Sequence, residues 1–385
     1  MKINTVRNII FSICLFSGVT GLYGQSDSIA FEGQISSWIN YNFNNEEGQA
    51  AIRFIPEFYY LHELKNKVKL DVDLSANAYA ALDIPEFSYQ DNTSGIELYR
   101  ASARLSDTQW EVRAGLQKIS FGPASLLRPL MWFDGTDPRD PLKMTSGVYG
   151  LLGRYYFLNN ANVWVWGLLG NENRRGWDQI PTLEAKPEFG GRFQIPLFGG
   201  EAGVSYNHRN PGSNKPFMPD VFPYESFRYH EDKIGIDGKW TIGPGLWFEY
   251  VYKRNSKKPA ELYTNEHYLC LGSDYTFGIG NGVNLLIEQF IYSGNKSLLY
   301  SDRLMNLTAA SLSYPLGLMN RISAMAYRSW ETDDWYTFMN FQRQYDNLSL
   351  YLMLFWNPES NSNAALPVNQ LYSGKGAMFM ATYNF

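Results

Sequence analysis

The sequence predicts an all-β protein: a transmembrane antiparallel β-barrel of about 18 strands, with about 16 as the neighbouring even count. Three observations predict it. Polar and apolar residues alternate with period two along most of the chain, short and long connections alternate strictly, and the last alternating strand stops on an aromatic residue. The composition agrees. Aromatic residues make up 16% and charged residues only 18%, against about 25% charge in soluble domains. Mean hydropathy is −0.31, which does not suit a bundle of membrane helices.

Met1–Gly24 reads as a secretory signal. Lys2 and Arg7 form a basic start, Ile9–Leu22 a short apolar core, and Tyr23–Gly24–Gln25 a cleavage region. The barrel is expected over 25–385. Loss of Lys2 and Arg7 with the leader takes the net charge from −5 to −7, so no nucleic-acid partner is indicated. Cys270 is then the one cysteine left, which excludes an internal disulfide and a cysteine metal site.

Beyond the leader no apolar run reaches the length of a membrane helix. Alternation begins at once: in SIAFEGQISSWINYNF, Phe31, Ile35, Ile39 and Tyr41 share one face, and Glu32, Gln34, Ser36 and Asn40 the other. KVKLDVDLSANAYA sets Val68, Leu70, Val72 and Leu74 against Lys69, Asp71, Asp73 and Ser75. A soluble sandwich would look the same, so the connections decide. Short ones fall at Leu64–Asn66, Ser106–Thr108, Asn159–Ala161, Phe198–Gly200, Ile242–Gly245, Gly278–Asn281, Pro315–Leu318 and Tyr345–Asn347. Longer polar ones lie between them near 44–49, 81–95, 119–147, 171–187, 209–226, 254–265, 293–303, 330–334 and 357–374. Short periplasmic turns with longer outer loops are the asymmetry of an outer-membrane barrel. In GKGAMFMATYNF, Phe379, Ala381 and Tyr383 are expected to face lipid, and the terminal Phe385 resembles the tag read by barrel-assembly machinery.

The third outer loop, 119–147, is the long exception. It carries four prolines, yet Leu126, Leu127, Leu130, Met131, Trp132 and Phe133 argue against a disordered segment. The expectation is a loop folded into the lumen that sets its aperture. Charge points the same way. Arginine facing hydrocarbon at the midplane costs about 2–4 kcal/mol, so Arg100, Arg104, Arg113, Arg154 and Arg192 are expected inside, with Tyr99, Ala101, Ala114 and Leu116 facing lipid. Glu266, Asp274 and Glu288 are expected on the far wall. The loop adds Arg128, Asp134, Asp137, Arg139, Asp140 and Lys143. These acids either face the wall arginines across a narrow aperture, where fixed charge selects solutes, or neutralise charge to pack the loop.

Enzyme motifs are sparse. His62, His208, His230 and His267 are scattered, and no nucleophile stands with a base and an orienting group. Asp134, Asp137 and Asp140 lack the order of a calcium loop and its closing glutamate. The glycine stretches Gly243–Gly245 and Gly278–Gly282 are hairpin turns, since no helix follows them. No cofactor is called for. A plugged transporter needs about 22 strands, more than this chain supplies.

GLQKISFGPASLLRPLMWFDGTDPRDPL followed by GVYGLLGRYYF resembles porin-type outer-membrane barrels of Bacteroidetes-like bacteria. More loosely it resembles the alginate-export and related porins, where a G-R-Q-x-x-x-W-G-like strand end runs into a loop with Asp-Pro elements. Gly115–Gln117 and Phe121–Gly122 stand at the matching places, but Leu116 replaces the arginine and Phe121 the tryptophan. The binding role of that arginine is therefore not carried over. The resemblance implies passive passage of a solute through the outer membrane of a Gram-negative bacterium and leaves the substrate open; the inward charges make small, anionic or saccharide-type solutes the expected class. The alternative is a non-conducting barrel serving as receptor, assembly partner or enzyme. Self-association is left open.

Overall fold

The structure is a computed structural model and describes residues 27–84, 93–183, 185–213, 227–256, 263–294, 303–358 and 372–385. The expected leader and the tips of several long loops lie outside these residues. Eighteen strands form one closed antiparallel sheet. They are β1 (Asp27–Asn42), β2 (Gly48–Glu63), β3 (Lys69–Ile84), β4 (Thr93–Ser106), β5 (Trp110–Gln117), β6 (Val148–Tyr156), β7 (Asn162–Leu168), β8 (Glu188–Leu197) and β9 (Gly200–Arg209). The second half comprises β12 (Glu231–Thr241), β13 (Gly245–Asn255), β14 (Asn265–Phe277), β15 (Val283–Gly294), β16 (Arg303–Pro315), β17 (Asn320–Ser329), β18 (Trp335–Gln344), β19 (Leu348–Trp356) and β20 (Lys375–Asn384). Two-residue strands β10 (Gly212–Ser213) and β11 (Phe227–Arg228) pair with each other in the connection between β9 and β12. The barrel thus has 18 strands rather than 16, and the eight short turns fall where turn chemistry put them.

Each strand pairs with its sequence neighbours, and the ring closes where β1 meets β20. Closure leaves no free strand edge at the seam, as spanning hydrocarbon without helices requires. At the seam the backbone of Phe385 exchanges two hydrogen bonds with Gly33, at 3.0 and 3.1 Å. A Cβ on Gly33 would lie 2.6 Å from the Phe385 ring and 2.8 Å from the Ile55 carbonyl. Gly33→Val should therefore cost about 1–3 kcal/mol through overpacking. A lower denaturant midpoint checks this; an unchanged midpoint would mean that the ring simply swings away.

The two faces of the wall differ as period two requires. On β20, Phe379 and Tyr383 are 50% and 47% exposed, whereas Met378, Met380 and Thr382 are buried. Two positions depart from the expected pleat. Ser75 pairs with Arg100 but Ala76 with Leu98, so Tyr99 is the extra residue of a bulge and the alternation resets there. Leu116, expected toward lipid, is 6% exposed; Gly115, with φ of 113°, breaks the pleat one residue earlier.

A larger departure concerns what fills the lumen. Inward rows of β14–β20 are largely apolar: Tyr268, Cys270, Phe290, Tyr292, Leu307, Tyr327, Tyr336, Phe338, Met353, Phe355 and Met378 are all buried. They join one core with Ile119, Phe121, Leu127, Leu130, Trp132 and Phe133 of the third loop. The core of this barrel lies inside it, between wall and loop.

Candidate functional site

The third loop crosses the lumen, as its hydrogen bonds require. It leaves β5, yet its amides reach β15, eight strands away around the ring. Glu288 on β15 accepts from the backbone N–H groups of Ser125 (2.7 Å), Leu126 (2.8 Å) and Leu127 (2.6 Å), and from the Trp247 indole at 3.1 Å. Glu249 on β13 accepts from Ala124 and Leu130, both at 2.8 Å. Both carboxylates are fully buried, and charge-assisted bonds of this kind are the strong ones. Gly122, with φ of 92°, makes the approach feasible, since a Cβ there would stand 2.3 Å from Glu249 Oε1. The segment Gly122–Leu130 is wound around two buried carboxyl groups.

Apolar contacts complete the seat. Phe121 stacks on Trp166 with centroids 5.8 Å apart and meets Trp132 edge-on at 5.4 Å. Leu130 occupies the space a side chain at Gly235 would take, 2.5 Å from that Cβ position.

The fourth outer loop, between β7 and β8, also turns inward. The Trp177 indole donates to the Arg128 carbonyl at 2.7 Å, and its ring stacks on Phe290 at 4.6 Å. Asp178 pairs with Lys233 at 2.6 Å and Arg209 at 3.2 Å. Arg209 also grips Glu231, Arg175 pairs with Glu188, and Lys253 pairs with Glu266 at 2.9 Å. All these groups are buried. Buried charge survives only when paired, so this network fastens the fourth loop to β8–β14.

The residues singled out from the sequence fall into three sets. Arg128 pairs with Asp134 at 3.0 Å, and Arg139 with Asp137 through two bonds of 2.8 Å. Asp140 accepts from the amides of Leu142 and Met144, and burial pushes its carboxyl above the usual range against the pull of those amides and of Arg53. Asp134 and Asp137 thus pair within the loop, whereas Asp140 is held by loop amides and feels the wall arginine Arg53. In the second set, wall arginines pair with wall acids: Arg104 with Asp71 (3.0 Å) and Glu111 (3.6 Å), Arg154 with Glu111 (3.0 Å), and Arg192 with both oxygens of Asp237 at 2.6 and 2.8 Å.

The third set makes no direct ion pair among the described residues, although Asp73 and Glu57 act on Arg100, Asp73 on Arg113 and Asp140 on Arg53 from further off. Arg100 donates to the Thr145 carbonyl and hydroxyl at 2.9 and 2.7 Å, and Arg113 stands across the ladder from Arg104. Arg53 on β2 belongs with them. Its guanidinium lies 5.1 Å from the Trp38 ring centroid. Glu57 and Tyr59 on the same inward face remain exposed, so solvent reaches this part of the lumen.

Arg53, Glu249, Lys233 and Asp178 were missed from the sequence. For the first three a signal existed. Each is a polar residue on an inward row, and Glu249 is the sole acid between Trp247 and Val251 in GLWFEYVYKRN. Asp178 lies in a loop, where period two gives no guidance.

A closed barrel with an apolar belt, short turns on one rim and infolded loops from the other is an outer-membrane barrel of the porin type, and the outer membrane is its place. Solved structures bear out this class. Over 93% of its length the chain superposes on 98% of Pseudomonas aeruginosa OccK5 (OpdH), with 12% identity and a TM-score of 0.56. Acinetobacter baumannii OccAB4 gives 8% identity, 94% and 99% coverage and a TM-score of 0.57. Salmonella typhi OmpF in complex with daunomycin gives 12%, 95% and 100%, and 0.52. No family model matches the chain, and no curated protein matches it in sequence.

Proposed function

We propose that the protein is a passive diffusion channel for small solutes, with a preference for anionic or saccharide-type ones, and carries out no catalysis. The observation that supports this is the set Arg53, Arg100 and Arg113: three inward arginines on β2, β4 and β5 that form no direct ion pair among the described residues. They place positive charge on that wall, beside the acids Glu57 and Asp73, although the chain as a whole is acidic. In this reading the third loop is the constriction, with Arg128, Asp134, Asp137, Arg139 and Asp140 stiffening it and Arg104, Arg154 and Arg192 holding the adjoining wall. Met1–Gly24 acts as the export signal and Phe385 as the assembly tag.

Reconstitution in a planar bilayer tests the proposal. Discrete conductance steps with an anion-over-cation permeability ratio above one are expected. A second reading, a non-conducting barrel that displays its outer loops, draws on the depth to which the third and fourth loops fill the lumen. A barrel that inserts and carries no current would select it.

A further inference from the structure

The wall has a notch beside β4. This strand pairs with β3 from Ser106 up to Thr93, but with β5 only from Ser106 to Ala101. Over residues 93–100 its second edge has no strand partner among the described residues. An open edge is unusual in a membrane barrel, because unpaired backbone groups are costly in hydrocarbon. A cavity of about 530 Å³ fills the notch.

Its lining comes from both sides of the wall. Arg53 and Asn77 stand on inward rows, whereas Leu98 and Tyr149 stand on lipid rows and are 52% and 44% exposed. Three polar atoms of the lining residues are buried without a hydrogen-bond partner: Arg53 Nε, Asn77 Oδ1 and Arg175 Nη1. Buried orphans of this kind call for a ligand or ion. The acids of the lining, Glu97 and Glu172, are exposed, as is Arg174; water screens them. Arg175 keeps its ion pair with Glu188 and offers only its unpaired Nη1–H, so the buried end is polar with the Arg53 guanidinium as its cation, and the cavity is apolar where it meets lipid.

We propose that this notch is a lateral portal through the barrel wall that binds a single-chain anionic amphiphile, a fatty carboxylate. The carboxylate meets Arg53 and Arg175, and the alkyl chain leaves past Leu98 and Tyr149 toward the bilayer. An added peptide strand would also satisfy the open edge of β4, but it would leave the three buried side-chain atoms unpaired.

The test uses the full barrel in lipid nanodiscs and needs no current, so it stands apart from the channel reading. A fluorescent fatty acid is bound and then displaced by dodecanoate, dodecanol, butyrate or an extended peptide. Dodecanoate is expected to displace the probe, and each of the others to be weaker by about tenfold or more, since each lacks the tail or the charge. Arg53→Gln should weaken dodecanoate by about tenfold. Leu98→Trp, a lipid-face change that blocks the exit, should weaken it similarly and carries the test should Arg53→Gln fail to assemble. Equal displacement by butyrate would reduce the site to a lumenal anion site without a portal. Equal displacement by dodecanol would mean apolar partitioning, and displacement by the peptide would mean strand addition. Any of these three outcomes, or unchanged affinity in both variants, overturns the proposal.

Discussion

Replacing Glu249 and Glu288 together by alanine is expected to release the third loop and raise single-channel conductance severalfold. Five loop amides lose their acceptors in that variant. Each buried N–H left without a partner costs about 1–3 kcal/mol. The sum is comparable to the whole margin of a folded domain, about 5–15 kcal/mol. The loop should therefore leave the lumen, where water hydrates its amides. Glu288→Gln should move conductance in the same direction by less, because the amide keeps one acceptor oxygen. Deleting Pro123–Asp140 sets the upper limit. Conductance unchanged in the double variant, in a barrel that still assembles, would mean that Leu127, Leu130, Trp132 and Phe133 suffice to seat the loop.

The second large effect separates arginines that hold the wall from arginines that charge it. Arg192 and Asp237 are both buried and doubly bonded. Arg192→Ala strands Asp237 and should destabilise the barrel by about 3–5 kcal/mol. Arg192→Leu with Asp237→Leu should recover most of that loss, because an apolar pair of similar volume leaves no stranded charge. Arg100→Ala with Arg113→Ala breaks no direct ion pair and leaves Asp73 and Glu57, neither of them fully buried, where water can reach them. Stability should hold while the permeability ratio moves toward cations. That shift should shrink at 1 M salt, where screening shortens from about 10 Å at 0.1 M to about 3 Å. Denaturant midpoints and reversal potentials, measured on the same variants, decide between the two roles. A double variant of Arg100 and Arg113 that keeps its permeability ratio would remove the anion preference from the proposal.

The sequence by itself determined the barrel, its strand count within two, its turn positions and the inward course of the third loop. These are local properties: alternation fixes which side chains share a face, and connection length fixes the rim. The pleat alone also carries Arg100, Arg104, Arg113, Arg154 and Arg192 to the inner wall. What each arginine meets there was decided by tertiary structure. Register sets Arg104 against Asp71 and Arg113, and Arg154 against Glu111, and a bulge such as that at Tyr99 shifts register without a periodic signal. The loop's true anchors were further out of reach. Ser125 and Glu288 are 163 residues apart, and they meet because ring closure sets β15 across the lumen from the end of β5. A carboxylate that binds backbone amides can be served by any residue type, so nothing in the loop's side chains reports it. The notch beside β4 exists for the same kind of reason: it arises where two strands end at different heights, which only the assembled wall defines.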